Sequence, residues 1–156
     1  PFNTEHYHFI RLPEKIRVGI VTRDDSEWAT KDFITPEGLC QMPLLTSSRQ
    51  TTDSFDLAQW SDGSISAEQL HIIGRFDLIS NASHFIRTGI ANALGIDKLL
   101  QLDTGHLKFI PLKPALTLHA VVVWKKYRLL SKSSSVFLEE LRKRVAGDSK
   151  KNNPLP

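Results

Sequence analysis

The sequence predicts an α/β fold built on a largely parallel sheet. Two observations carry that prediction. Short runs rich in β-branched residues alternate with segments of helical spacing, and clusters of helix-capping residues follow directly on two of those runs. Composition agrees, since 40% apolar and 24% charged residues in a chain of 156 describe a globular domain.

The elements follow in order. Phe9 to Leu12 is an opening segment that ends at Pro13. Ile16 to Thr22 alternates apolar with other residues and is expected to be a strand, broken by Arg23-Asp24-Asp25-Ser26. Thr35-Pro36-Glu37-Gly38-Leu39 has a capping Thr followed by Pro at the first helical position, which predicts a short helical turn. Met42 to Thr46 is a second strand. The run Ser47-Ser48-Arg49-Gln50-Thr51-Thr52-Asp53 then opens a helix carrying Phe55, Leu57, Ala58 and Trp60. Ser61-Asp62-Gly63-Ser64 is a loop. Leu70 to Phe76 is a strand whose apolar character continues through Leu78-Ile79, and Ser80-Asn81-Ala82-Ser83 caps a helix expected over His84 to Leu94, broken near Gly95. Leu107 to Leu112 is a strand, and Leu118 to Trp124 is expected to be a buried one. Ser131 to Ser134 caps a last amphipathic helix, Ser135 to Val145, with Val136, Phe137, Leu138 and Leu141 as its buried face. From Gly147 a polar tail is expected to be disordered.

Composition excludes several classes. The single cysteine, Cys40, forms no internal disulfide, and it reads as a half-buried filler rather than a nucleophile. No apolar run approaches the ~18 residues of a spanning helix. Pro1-Phe2-Asn3-Thr4 has neither the charged start of a signal peptide nor an initiator Met, so the chain is expected to begin inside a longer protein. The net charge of +3 and pI of about 9.1 suggest nucleic acid. Residues 124–156, however, hold 9 Lys/Arg against 3 Asp/Glu, and residues 1–123 hold 11 against 14. The basic character therefore belongs to one end, where Arg142-Lys143-Arg144 and Lys150-Lys151 read as a solvated helix terminus favoured by the dipole.

No catalytic signature is present: there is no Gly-x-Ser-x-Gly, no phosphate loop ending in Lys-Ser/Thr and no Gly-x-Gly-x-x-Gly. No cofactor is expected. His6 and His8 lack a third ligand, so no metal is expected either. What remains is the chemistry of two strand-to-helix turns. Ligands in open α/β sheets lie beyond the carboxyl ends of strands, where helix N-termini offer N–H groups and partial positive charge. Ser47, Ser48, Arg49 and Gln50 form one such turn, and Ser80, Asn81 and Ala82 form the other. Ser48, Ser80 and Asn81 serve equally as plain caps. Arg49 opposes the dipole at a helix start, so its charge needs another partner, either a ligand anion or a carboxylate of the protein.

Three stretches resemble the effector-binding domain of the LysR-type transcriptional regulators of bacteria. The first is Arg17 to Ala29 with Ile34-Thr35-Pro36-Glu37-Gly38-Leu39 and Met42-Pro43-Leu44-Leu45. The second is Gly89-Ile90-Ala91-Asn92-Ala93-Leu94, similar to the family's Gly-Leu-Gly-Ile-Ala-Leu. The third is Ala120 to Tyr127, Leu130-Ser131 and Phe137-Leu138-Glu139-Glu140-Leu141, similar to Leu-Val-Trp-Arg-Lys-Asp, Leu-Ser and Phe-Leu-Asp-Phe-Leu. Their order over about 130 residues carries the likeness.

The resemblance implies a periplasmic-binding-protein-like (type 2) fold with one complete α/β subdomain plus part of the other. Residues 1–18 would close the first subdomain, 19–113 would form the second and 114–146 would return into the first. The tail would be 147–156. It further implies a cytoplasmic, non-enzymatic sensing domain that binds a small effector in an interlobe cleft through the two turns, with Thr22 at the first crossover. DNA would be met only through a missing N-terminal helix-turn-helix, no membrane is involved, and a homo-oligomer is expected. The alternative is a solute-binding protein of a transporter with the same fold. Departures are Ala91 for the second Gly and polar Asn92 at an apolar position. With the opening βα units also absent, half the cleft would be missing, and Ile16–Val21 and Leu118–Trp124 are expected to be sticky exposed edges.

Overall fold

One 17-residue strand organises the chain. β1 (Tyr7–Arg23) is followed by α1 (Pro36–Cys40), β2 (Leu44–Ser47), α2 (Leu57–Trp60), β3 (Ile72–Phe76), α3 (Ile79–Arg87), β4 (Asn92–Ile96), β5 (Leu107–Pro111), β6 (Thr117–Lys125) and α4 (Lys132–Lys151). The computed structural model describes residues 5–48, 57–98 and 106–151. Two units are distinguished, Ile16–Leu118 and Pro1–Lys15 with His119–Pro156. β1 and β6 each pass from one to the other.

In the Ile16–Leu118 unit the strand order is β3-β2-β4-β1-β5. β2 is parallel to both β3 and β4, whereas β1 is antiparallel to both β4 and β5. The sheet is thus mixed rather than largely parallel, because direction is set by how each strand enters the sheet and not by its residue pattern. Alternation along β1 feeds two cores. Val18 and Ile20 join Leu39, Met42, Leu44 and Trp60 on one face. Val21 joins Leu45, Ala82, Ile86 and Ala93 on the α3 face. Gly19 is required where β5 crosses: a Cβ there would lie 2.3 Å from the Ile110 carbonyl oxygen and 2.6 Å from the Phe109 ring. α1 forms as its residues dictate, with the Thr35 hydroxyl accepting from the Gly38 N–H at 3.2 Å and Pro36 at the first position. The Trp60 indole N–H donates to the Pro114 carbonyl at 2.7 Å, fixing α2 to the segment between β5 and β6.

Several expectations are corrected. Pro13 does not end a segment: β1 runs through it, since proline costs an extended strand only its one N–H. Ile16–Val21 is no exposed edge, because it lies between β4 and β5 with Val18, Ile20 and Val21 buried. The helix expected over His84–Leu94 starts earlier, at Ile79, and ends at Arg87. Gly89, with φ of 78°, takes the left-handed turn that stops it. Ala93 and Leu94 then lie in β4. Two apolar runs separated by one glycine mimic a single helical period.

In the other unit, β6 pairs with the opening of β1. β6 is not a buried strand: Ala120, Val122 and Trp124 are half-buried, while Leu118, Val121 and Val123 are exposed. α4 buries Leu138 but leaves Val136 and Phe137 59% and 60% exposed, so its buried face is narrower than expected. It continues through Gly147 to Lys151, and Glu139–Lys143 and Glu140–Arg144 pairs one turn apart support it.

The polar Asn92 has a matched partner. The buried Thr22 hydroxyl donates to Asn92 Oδ1 at 2.6 Å, and Ser26 Oγ lies 2.8 Å from Thr22 Oγ1. Thr22→Val strands a buried acceptor and is expected to cost about 2 kcal/mol in urea unfolding. Adding Asn92→Leu is expected to recover most of that loss, and additive losses would show the two are uncoupled.

Candidate functional site

Because β2 and β3 run parallel, their carboxyl ends share one edge, with Ser47 opposite Phe76. Ser48 and Asp77 lie one residue beyond. The Ser48 N–H donates to the Phe76 carbonyl at 2.8 Å, and the Ser48 hydroxyl donates to the Asp77 carboxylate. α3 begins two residues after Asp77. Its N-cap position is Leu78, which supplies no side-chain oxygen. The first turn therefore presents N–H groups and the positive end of the helix dipole without an internal cap.

Ser80 and Asn81 are exposed in that first turn, and Ala82 is buried against the sheet. The Ser83 hydroxyl is used inside the helix, donating to the Ser80 carbonyl at 2.6 Å. The cluster read as a cap thus sits within the helix, beginning two residues after the cap position.

A groove of about 540 Å³ runs along α3, within the size range of small-molecule sites. Leu45, Phe76, Phe85 and Ile90 form its apolar walls, and Arg75, Asp77 and Asn81 supply its polar groups. Gly74 also lines it, and a Cβ there would lie 3.0 Å from Leu45 Cδ2, so that Leu45 would have to shift. On β2, Thr46 Oγ1 is buried without a hydrogen-bond partner among the described residues.

The structure gathers Ser47, Ser48, Ser80, Asn81 and Ala82 at this edge. Thr22 lies elsewhere. It is bonded to Asn92, which pairs with Leu44 at the start of β2, about 10 Å along the strand from Ser47. There it lines a separate hollow of about 210 Å³ with Ser26, Pro43 and Gly89. Beside it, Arg23 holds the Asp25 carboxyl below its usual range through hydrogen bonding. Arg49 and Gln50 lie outside the described residues. Asp77, Phe85 and Ile90 were not among the expected site residues. The signal for Asp77 was available, since it follows the end of β3 as Ser48 follows β2.

Burial pushes the Cys40 thiol up, with the Glu37 charge adding to it, so it is a poor nucleophile at neutral pH. Among the described residues no cluster of three His, Cys, Asp or Glu could hold a metal ion, and no helix is long and apolar enough to cross a membrane.

The family model of the LysR substrate binding domain matches residues 1–146. No curated protein matches the chain. Among solved structures it is similar to HinK, a LysR family transcriptional regulator from Pseudomonas aeruginosa. The identity is 13% and the TM-score 0.72, over 93% of this chain and 51% of that one. It is also similar to the effector binding domain of QuiR in complex with shikimate, at 14% identity and TM-score 0.71, over 94% and 69%. The Synechocystis CcmR regulatory domain in complex with 2-PG gives 13% and 0.69, over 93% and 70%. At these identities the likeness is one of fold. The chain spans about half the length of the HinK chain.

The contact between Ser48 and Asp77 is testable by itself. Ser48→Ala and Asp77→Ala are each expected to lower stability by about 0.5–1.5 kcal/mol, and the double variant by little more than either. Thermal unfolding that shows additive losses would mean the two side chains act apart.

Proposed function

Since the chain belongs to the LysR substrate-binding domain family, with its periplasmic-binding-protein-like fold, we propose that it is the sensing part of a LysR-type transcriptional regulator. The observation that carries this reading is the shared edge of β2 and β3, where an uncapped helix N-terminus stands beside Ser48 and Asp77. Such an edge recognises a small polar molecule through backbone N–H groups and side-chain oxygens. QuiR and CcmR hold small molecules, shikimate and 2-PG, and we assign a small effector to this chain as well.

The effector contacts in this reading are Ser47, Ser48, Arg49, Gln50, Ser80, Asn81 and Ala82. Asp77 favours a hydroxyl donor next to Ser48, and Arg49 is the group that would hold an anion. Thr22 serves the lobe through Asn92 and not the effector. In this reading residues 19–113 are the second effector-binding subdomain and 1–18 and 114–146 belong to the first, a division supported by the compact Ile16–Leu118 unit. Effector binding shifts the population of regulator states and so alters sequence-specific DNA binding by a helix-turn-helix domain outside this chain, in the cytoplasm where that DNA lies. We assign the chain no reaction. Exposed Ile73, Leu78, Phe85 and Ile90 beside the edge strand β3 support self-association.

The test is a thermal-shift screen of small carboxylates and phosphates, shikimate and 2-PG among them, on the full-length protein. An active compound is expected to lose at least about tenfold in affinity with Arg49→Ala, a difference of about 1.4 kcal/mol. An undiminished shift in the variant removes Arg49 as a clamp, and no shift from any compound removes the anion reading. In sedimentation the chain is expected to associate as concentration rises, and Phe85→Glu to reduce that association.

A further inference from the structure

The positive charge of this protein is divided unevenly between its units. Pro1–Lys15 contributes two bases and two acids, so Pro1–Lys15 with His119–Pro156 carries +6, while Ile16–Leu118 holds 9 Lys/Arg against 12 Asp/Glu. Within the basic unit the cations differ in what they touch. Lys143 and Arg144 are paired with Glu139 and Glu140, and Arg142 lies 5.4 Å from the centre of the Trp124 ring. Lys125, Lys126 and Arg128 carry no ion pair among the described residues, and all three are exposed.

These three sit at one tip. The Lys126 N–H donates to the His6 carbonyl at 3.0 Å, drawing the end of β6 to the start of β1. His6, Tyr7, Lys125, Tyr127 and Arg128 line an open hollow of about 610 Å³ there. Tyr127 is 88% exposed. It stands where the family pattern Trp-Arg-Lys-Asp has its acid, so a neutral hydroxyl donor takes the place of a charge that would offset one of the three cations.

We propose that the Lys125–Arg128 tip binds the phosphate backbone of duplex DNA, independently of base sequence. Unpaired ammonium and guanidinium groups and a phenol hydroxyl are the side chains that contact phosphate oxygens. The tip is a turn, not a helix or two-stranded ribbon that enters a major groove, so it positions without reading bases. A unit-wide charge of +6 attracts an extended polyanion rather than one small anion. The inference stands apart from effector sensing, and a chain that binds no effector still passes or fails it.

The experiment is fluorescence anisotropy of this chain with a labelled duplex of about two helical turns and arbitrary sequence, between about 50 and 200 mM salt. Binding is expected to weaken with salt. The Lys125→Ala/Lys126→Ala/Arg128→Ala variant is expected to lose at least about tenfold in affinity at low salt, and its salt slope to fall by about 0.9 for each phosphate contact removed. Tyr127→Asp is expected to weaken binding in the same direction, and Glu139→Ala/Lys143→Ala, which removes an ion pair and leaves the net charge unchanged, to change it less than about twofold. Circular dichroism confirms that each variant is folded. Equal binding by the triple variant overturns the proposal. So does a wild-type slope of about one contact with full displacement by low inorganic phosphate, which identifies a small-anion site.

Discussion

The close antiparallel packing of β1 between β4 and β5 is the constraint on which the rest of the Ile16–Leu118 unit depends. Val18, Ile20 and Val21 supply both cores from one short stretch. Gly19 lets the Ile110 carbonyl and the Phe109 ring approach where any side chain would push β5 away. With β5 displaced, Leu107 and Ile110 would leave opposite cores together. Once β1 is placed, β4 fixes β2, and β2 fixes β3 in the parallel register that brings Ser48 to Asp77.

Much of this was legible in the residues, and the exceptions share a cause. Thr35-Pro36 announced α1, because capping chemistry is a local property, and the hydroxyl-rich clusters pointed to Ser47, Ser48, Asn81 and Ala82 even though the second cluster lies inside α3 rather than at its cap. Strand direction is not local. Thr22 stands near the end of a strand just as Ser47 does, yet β1 runs opposite to β2 and carries Thr22 to the other end of the sheet. Asp77 stayed unmarked because an acid after a strand also reads as an ordinary turn residue. The start of α3 was misplaced because Leu78-Ile79 continues a strand's apolar run, and only the sheet's edge decides where strand becomes helix.

The two units differ in how well they bury their own surfaces. The Ile16–Leu118 unit has helices against both faces of its sheet, with two closed clusters. The other pairs β6 with the opening of β1 and packs Leu138 from α4, while Phe9, Val121, Val123, Val136 and Phe137 remain exposed. A ribbon of two strands and one helix gains little from its own core.

The pairing of Thr22 with Asn92 bears on how such a chain can change by descent. A lineage at an aliphatic pair that acquires the asparagine first, or loses the hydroxyl first, passes through a protein with an orphaned buried polar group. Neither single step is neutral, although both ends of the path are tolerable. The two positions, 70 residues apart in sequence, are therefore expected to be inherited as a linked pair. A substitution table that scores each site alone would count Asn92 as a blemish.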